Sequence, residues 1–142
     1  MGGIIRDSSR NVIMAFASPL YPCKVIFAEL MGLAKGLEIC QIRGFVNVQI
    51  EVDAMLLIQI IKNDNVFYHQ FFYLIRRIRM AISNLSCSIN HILREGNACA
   101  DWLTKFGCNL ENDMEFGNDN LPRLLTGLIK LDKIGMFYIR LC

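Results

Sequence analysis

The chain has 142 residues, of which 54% are hydrophobic and 20% charged, and it contains only three prolines. This composition is typical of one globular domain and excludes a disordered chain. The formal net charge of +2 is too small to indicate a nucleic-acid partner, so such a partner has to be argued from a local site. No apolar run reaches the roughly 18 residues that a membrane-spanning helix needs, so no membrane span is expected.

The chain begins with a predicted β-hairpin. β-branched residues predict a strand from Gly2 to about Asp7, residues 7–11 form a turn, and a second strand follows from Val12 to Ala17. A loop with two prolines comes next. Apolar residues then recur at helical spacing and predict a helix from Val25 to Gln41.

The remaining elements alternate between strands and helices. The clearest strand runs from Val46 to Val52, because its apolar and polar residues alternate without a break. The other predicted elements are a short helix over 54–61, a polar turn over 62–65, a long helix over 66–82, a strand over 87–93, a helix over 98–106 with Gly107 as its C-terminal cap, an acidic loop over 109–120 and a last helix over 122–131. This order predicts an α/β sheet covered by helices.

The six cysteines are scattered along the chain without a CxxC pair. This spacing argues against a zinc site and a redox motif, and it favours buried reduced thiols over a disulfide framework. We therefore expect an intracellular, reducing compartment, either the nucleus or the cytoplasm.

Three carboxylates lie where the surrounding pattern is apolar: Glu29 near the start of a helix, Asp53 at the end of a strand, and Asp101 within the helix 98–106. Isolated buried carboxylates cost several kcal/mol each, a cost that is offset when they converge on a divalent metal ion. Two simpler explanations stay open. Glu29 and Asp101 could complement helix dipoles, and Asp53 could cap the next helix.

Several motifs together resemble one known family. In chain order they are Gly-Gly-Ile-Ile-Arg-Asp at 2–7, Ala-Glu-Leu at 28–30 with Gly-Leu at 36–37, Val-Gln-Ile-Glu-Val-Asp at 48–53, and His-Ile-Leu-Arg-Glu-Gly-Asn-Ala-Cys-Ala-Asp-Trp-Leu at 91–103. They are similar to the ribonuclease H-like (RNase H type-1) domain that is common in plant genomes, often as a relic of retroelements with a reverse transcriptase. The tail from Pro122 to Arg140 also resembles the segment on the C-terminal side of the domain in that group.

The resemblance implies a three-layer α/β fold, with a mixed sheet and helices on both faces. The domain would span residues 1–107, followed by a tail over 108–142 with the acidic loop and a short helix. The implied activity is cleavage of the RNA strand of an RNA–DNA hybrid with two Mg²⁺ (or Mn²⁺) ions. Glu29, Asp53 and Asp101 match the second, third and fourth of the family's four carboxylates.

Other residues receive roles from the same resemblance or from their position. His91 lies ten residues before Asp101 and is implied in proton transfer or product release, with a plain strand residue as the alternative. Arg76, Arg77 and Arg79 on the long helix are candidates for phosphate contacts, with a solvated basic face as the alternative. Asn97, within the last motif, is a further candidate for nucleic-acid binding.

The sequence departs from the family at its start. The family's first carboxylate lies in an Asn-x-Asp-Gly motif on a central strand, in the sheet order 3-2-1-4-5, and this strand has no counterpart here. Asp7 cannot replace the carboxylate, because it lies in the hairpin turn. Without this strand, three arrangements are open. The two halves of the sheet could close up, another segment could fill the gap between them, or the chain could be an incomplete piece of a longer product.

This departure leaves three functions open. The first is a metal-dependent hybrid ribonuclease whose activity is weak or absent in this chain, because charge count and geometry set Mg²⁺ binding. The second is a non-catalytic module that binds a hybrid or another nucleic acid. The third is a retroelement remnant without a biochemical function.

Overall fold

The structure is a computed structural model that describes residues 1–62 and 69–134. The strands are β1 (Gly2–Arg6), β2 (Val12–Ala17), β3 (Gln49–Val52), β4 (Ser88–His91) and β5 (Met114–Gly117), and the helices are α1 (Val25–Ile42), α2 (Met55–Lys62), α3 (Phe72–Asn84), α4 (Ala98–Gly107) and α5 (Arg123–Ile134). The α/β class predicted from the sequence is confirmed. The chain divides into a first unit, built from 1–21 together with 93–134, and a second unit, built from 22–92.

The first unit contains a three-stranded antiparallel sheet in the order β1-β2-β5. The predicted hairpin is confirmed, with Gly2 opposite Ala17 and Arg6 opposite Val12. Asp7 builds the turn: its Oδ1 accepts hydrogen bonds from the backbone N–H groups of Ser9 and Asn11, each at 2.9 Å. An Asp side chain that bonds its own backbone in this way favours a turn over a longer strand.

Strand β5 lies within the predicted acidic loop, so the prediction of a loop over residues 109–120 is wrong for Met114–Gly117. This segment pairs antiparallel with β2, with Phe116 opposite Ala15. Phe116 is buried in the core of the first unit, together with Leu125 and Ile129 of α5. A strand is predicted from alternating apolar and polar residues, and a single buried residue among polar neighbours is too short a pattern for such a prediction.

Helix α4 packs against β1 and β2, and two glycines let it come close. A Cβ added at Gly2 would lie 2.6 Å from the backbone carbon of Leu103. A Cβ at Gly107 would lie 2.7 Å from the backbone oxygen of Ser18. Gly107 is the last residue of α4, and the residue that caps the helix is Cys108. Gly107 is therefore needed for close packing, a role that differs from the predicted cap.

The second unit contains a parallel pair of strands, in which Ile50 of β3 lies opposite Ile89 of β4. Helix α2 contacts both strands, and α1 packs against α3 and α2. Strand β3 begins three residues later than predicted. The reason is Asn47, whose φ of 56° turns the chain, while its N–H donates to the Leu85 carbonyl at 2.9 Å.

Three further predictions concern the long helix, the cysteines and membrane spans. Helix α3 begins at Phe72 after a 3-10 turn over His69–Phe71, and the predicted helix start at 66 lies outside the described residues. None of the described cysteines forms a disulfide: Cys40 and Cys99 are buried, Cys87 is half-buried, and Cys23 and Cys108 are exposed. The expectation of buried thiols is therefore wrong for the last two.

Within the described ranges, no helix has the length and apolar character that crossing a membrane requires.

Candidate active site

Two predicted site residues meet at one edge of the parallel pair in the second unit. Asp53 directly follows β3, and His91 is the last residue of β4. Val52 lies opposite His91 in the register, and the N–H of Ile92 donates to the Val52 carbonyl at 2.9 Å. Both strands therefore end at the same level and bring Asp53 and His91 side by side.

The His91 ring is bonded to the backbone of Asp53. Its Nε2 atom lies 3.2 Å from the Asp53 carbonyl oxygen, and the ring is exposed. A carbonyl only accepts hydrogen bonds, so this contact places a proton on Nε2. In the neutral ring, Nδ1 is then the nitrogen that can take up a proton. This arrangement suits an imidazole that exchanges protons with a bound substrate or with water.

Glu29 belongs to the same unit and is half-buried on α1. Because α1 begins at Val25, Glu29 is its fifth residue, and the first turn of α1 contains no acid. The favourable interaction with the helix dipole falls off within the first turn. The dipole explanation for Glu29 is therefore not supported.

The capping explanation for Asp53 is also weakened by the element bounds. Helix α2 begins at Met55, so Ala54 stands at the position directly before the helix. A capping side chain normally belongs to that flanking residue. Asp53 lies one residue further out, at the end of β3, and its side chain is half-buried.

Asp101 lies in the first unit, and here the simpler explanation has direct support. It is in the first turn of α4, and its Oδ2 forms an ion pair with Lys105 Nζ at 2.8 Å. Both side chains are largely exposed, at 42% for Asp101 and 76% for Lys105. The pair has the i,i+4 spacing that stabilises helices. The first-turn position of Asp101 agrees with the predicted helix-dipole interaction, and the i,i+4 pair with Lys105 was not predicted.

The donor chemistry of the three carboxylates fits Mg²⁺, which prefers oxygen ligands. Among residues 1–62 and 69–134, however, no three His, Cys, Asp or Glu side chains are grouped so that they could hold a metal ion. Glu29 and Asp53 belong to the second unit, and Asp101 belongs to the first. The shared metal site of these carboxylates therefore stays a prediction.

The three arginines of α3 have different surroundings. Arg79 is half-buried and donates to two carbonyls at the end of α2, from Nη2 to Ile60 at 2.8 Å and from Nε to Ile61 at 3.0 Å. This cation satisfies acceptors that a helix C-terminus leaves open, a structural role that the sequence analysis missed. Arg76 and Arg77 are exposed.

Asn97 lies in the first unit, directly before α4. It is half-buried, and its side chain makes no capping hydrogen bond to the helix. Its predicted contact with nucleic acid stays a prediction.

Comparison with known proteins gives one family. The model of a family described as reverse transcriptase-like matches residues 1–107, which is about three quarters of the chain. The match includes every predicted site residue. No curated protein matches the chain significantly.

Proposed function

Because the chain belongs to the reverse transcriptase-like family, whose domain is ribonuclease H-like, we propose that it hydrolyses the RNA strand of RNA–DNA hybrids with the help of divalent metal ions. The observation that carries the proposal is the juxtaposition of Asp53 and His91 at the end of the parallel pair. A carboxylate beside a histidine provides a metal ligand and a proton carrier within one short stretch of surface.

In this proposal Glu29, Asp53 and Asp101 hold Mg²⁺ or Mn²⁺. When bound, divalent ions would stabilise the negative charge that develops on the scissile phosphate. Asp53 is a strong candidate ligand, because it directly follows β3 and lies beside His91 at the end of the parallel pair. Asp101 would have to exchange its ion pair with Lys105 for the metal, a small cost, because exposed pairs contribute about 0–1 kcal/mol.

His91 is the proposed proton carrier. Its Nε2 contact with the Asp53 carbonyl fixes the ring orientation and leaves Nδ1 to exchange a proton. Because the ring is exposed, substrate and product can both reach it. We expect the substitution His91→Ala to slow cleavage while leaving hybrid binding unchanged.

The test is cleavage of a hybrid whose RNA strand is labelled, with the protein in excess and Mg²⁺ or Mn²⁺ present. The same assay, followed as single turnovers over hours, measures the expectation that cleavage by this chain is weak or absent. Asp53→Asn is expected to abolish product formation. The matched control is Asp119→Asn, since Asp119 is an exposed carboxylate on the loop after β5 and should leave the rate unchanged.

Hydrolysis by this chain is refuted if the wild type yields no product with either metal, which leaves the non-catalytic binding module. An Asp53→Asn variant that cleaves as fast as the wild type refutes the role of Asp53. Binding of the hybrid in EDTA, measured by fluorescence anisotropy, separates the chemical step from binding. The retroelement descent in a plant genome stays part of the proposal. So does a reducing intracellular compartment, which is proposed from the scattered spacing of the cysteines alone.

A further inference from the structure

Helix α3 presents one continuous exposed face of unusual composition. Its buried side faces the interior of the second unit through Ile75, Ile78 and Ala81. The opposite side exposes two aromatic rings, two guanidinium groups, a thioether and two small polar groups, from Phe72, Tyr73, Arg76, Arg77, Met80, Ser83 and Asn84. We call these seven residues the α3 face. At about 1.5 Å per residue, it is roughly 18 Å long.

The charge of the α3 face has one sign. The sequence of α3 contains three arginines and no acid. Within the part of the chain that the structure describes, the guanidinium groups of Arg76 and Arg77 form no ion pair and no hydrogen bond. Arg79 is used to bond α2, but these two guanidinium groups project into solvent. A surface of this kind attracts a polyanion.

The aromatic rings narrow the choice of polyanion. Tyr73 is 83% exposed and Phe72 is 55% exposed, and their rings meet edge to face with centroids 5.5 Å apart. Tyr73 lies three and four residues before the arginines, so ring and guanidinium groups share one side of the helix. Rings of this kind stack on bases, and only an unpaired strand offers the faces of its bases.

From these observations we infer that the α3 face binds an unpaired nucleic-acid strand, with Tyr73 and Phe72 stacking on bases and Arg76 and Arg77 contacting phosphates. This inference goes beyond the proposed hydrolysis of hybrids and does not depend on metal ions. It gives the protein a second contact with nucleic acid, for a strand that is not paired in the hybrid.

Other occupants fit the α3 face less well. A second copy of the chain would place arginines against arginines, and like charges in close apposition disfavour association. An apolar partner would leave the two guanidinium groups without acceptors. An unpaired strand satisfies both the rings and the charges, as single-strand binding surfaces combine stacking platforms with a basic track.

The test measures the affinity of the full chain for fluorescent oligonucleotides in EDTA, as single-stranded DNA, single-stranded RNA, duplex DNA and RNA–DNA hybrid. Tyr73→Ala is expected to weaken single-strand binding about tenfold, as the loss of one base stack does, while Tyr73→Phe retains it. Arg76→Gln with Arg77→Gln should reduce the salt slope by about 1.4, at roughly 0.7 per lost phosphate contact. If the substitutions weaken the binding of single-stranded DNA and RNA equally, the α3 face contacts bases and phosphates. If they weaken the binding of RNA more, the α3 face also contacts the 2′-hydroxyl groups.

The matched control is the double variant Arg123→Gln and Lys130→Gln, which removes two charges from exposed positions of α5. It should leave single-strand affinity unchanged. Equal weakening by this control, or full binding by Tyr73→Ala, overturns the inference. So does an effect of Tyr73→Ala that is confined to the hybrid, or a self-association in sedimentation velocity that Tyr73→Ala abolishes. Loss of hybrid cleavage in Asp53→Asn has no bearing on these measurements, so the two proposals fail independently.

Discussion

The substitution Gly107→Ala tests how closely α4 approaches the first sheet. The new Cβ would lie 2.7 Å from the Ser18 oxygen, 3.0 Å from the Ser18 nitrogen and 3.0 Å from the Met1 oxygen. All three are backbone atoms, so no side-chain rotation can relieve the contact. The end of α4 has to move, and it strains the hydrogen bond from Ser18 N–H to the Met1 carbonyl, which is 2.8 Å long.

Two effects of opposite sign decide the outcome. Replacing glycine by alanine in a helix gains up to about 1 kcal/mol, and less at the last helical residue than in the interior. Overpacking costs about 1–3 kcal/mol, and a disrupted backbone hydrogen bond adds about 1 kcal/mol. We therefore expect the free energy of unfolding to fall by about 1–3 kcal/mol.

Urea unfolding followed by tryptophan fluorescence measures this change in the relevant unit. Trp102, the single tryptophan, lies on α4 and stacks on Phe106 with centroids 5.0 Å apart. The matched control is Gly127→Ala in α5, where an added Cβ meets nothing within 4 Å, so the protein should become up to about 1 kcal/mol more stable. If Gly107→Ala is as stable as the wild type, or gains as the control does, the close approach of α4 to the sheet is wrong.

Two further predictions concern the second unit. Arg79→Gln removes a charged donor from the Ile60 and Ile61 carbonyls and should lower the free energy of unfolding by about 1–3 kcal/mol. The control Arg76→Gln should change the free energy of unfolding by less than about 0.5 kcal/mol. Equal melting temperatures of the two variants would contradict the structural role of Arg79. Burial, and secondarily the neighbouring Cys87 thiol, raise the pKa of Cys40 above its usual value, so the folded state favours the protonated thiol. The stabilising effect should be fully present well below the ordinary thiol pKa of 9.0 and be lost as the pH rises through the raised pKa, because the unfolded thiol ionises first. Urea unfolding between about pH 7 and 10 should show a smaller decline in Cys40→Ala, and an identical decline would disprove it.

Local patterns were sufficient to predict most of the elements. The hairpin, α1, α2 and α4 each follow from the spacing of apolar residues over a short window, and the structure confirms them. Strand β5 did not follow, because its pairing partner β2 lies near the other end of the sequence and Phe116 is its one buried residue. The periodicity of a segment does not show which distant segment it pairs with.

The candidate site was predictable in part. Asp53 was expected at the end of a strand and His91 within a strand over 87–93, whereas β4 ends at His91 and the parallel pair brings the two residues to one edge. The Arg79 contacts were not predictable, since the acceptors are backbone carbonyls, which every residue has. Sequence patterns identify charged partners more readily than carbonyl partners.

The first unit has a discontinuous sequence, and this determines when it can assemble during synthesis. Its hairpin is translated before the second unit, whereas the residues that cover it, among them Leu103, Phe116 and Leu125, are translated after the second unit. The second unit is one uninterrupted stretch, so its contacts are all available as soon as residue 92 has left the exit tunnel. The nascent hairpin must therefore wait, with the apolar side of β2 uncovered, while the intervening stretch is made. During this interval the uncovered apolar surface makes the nascent chain prone to aggregation.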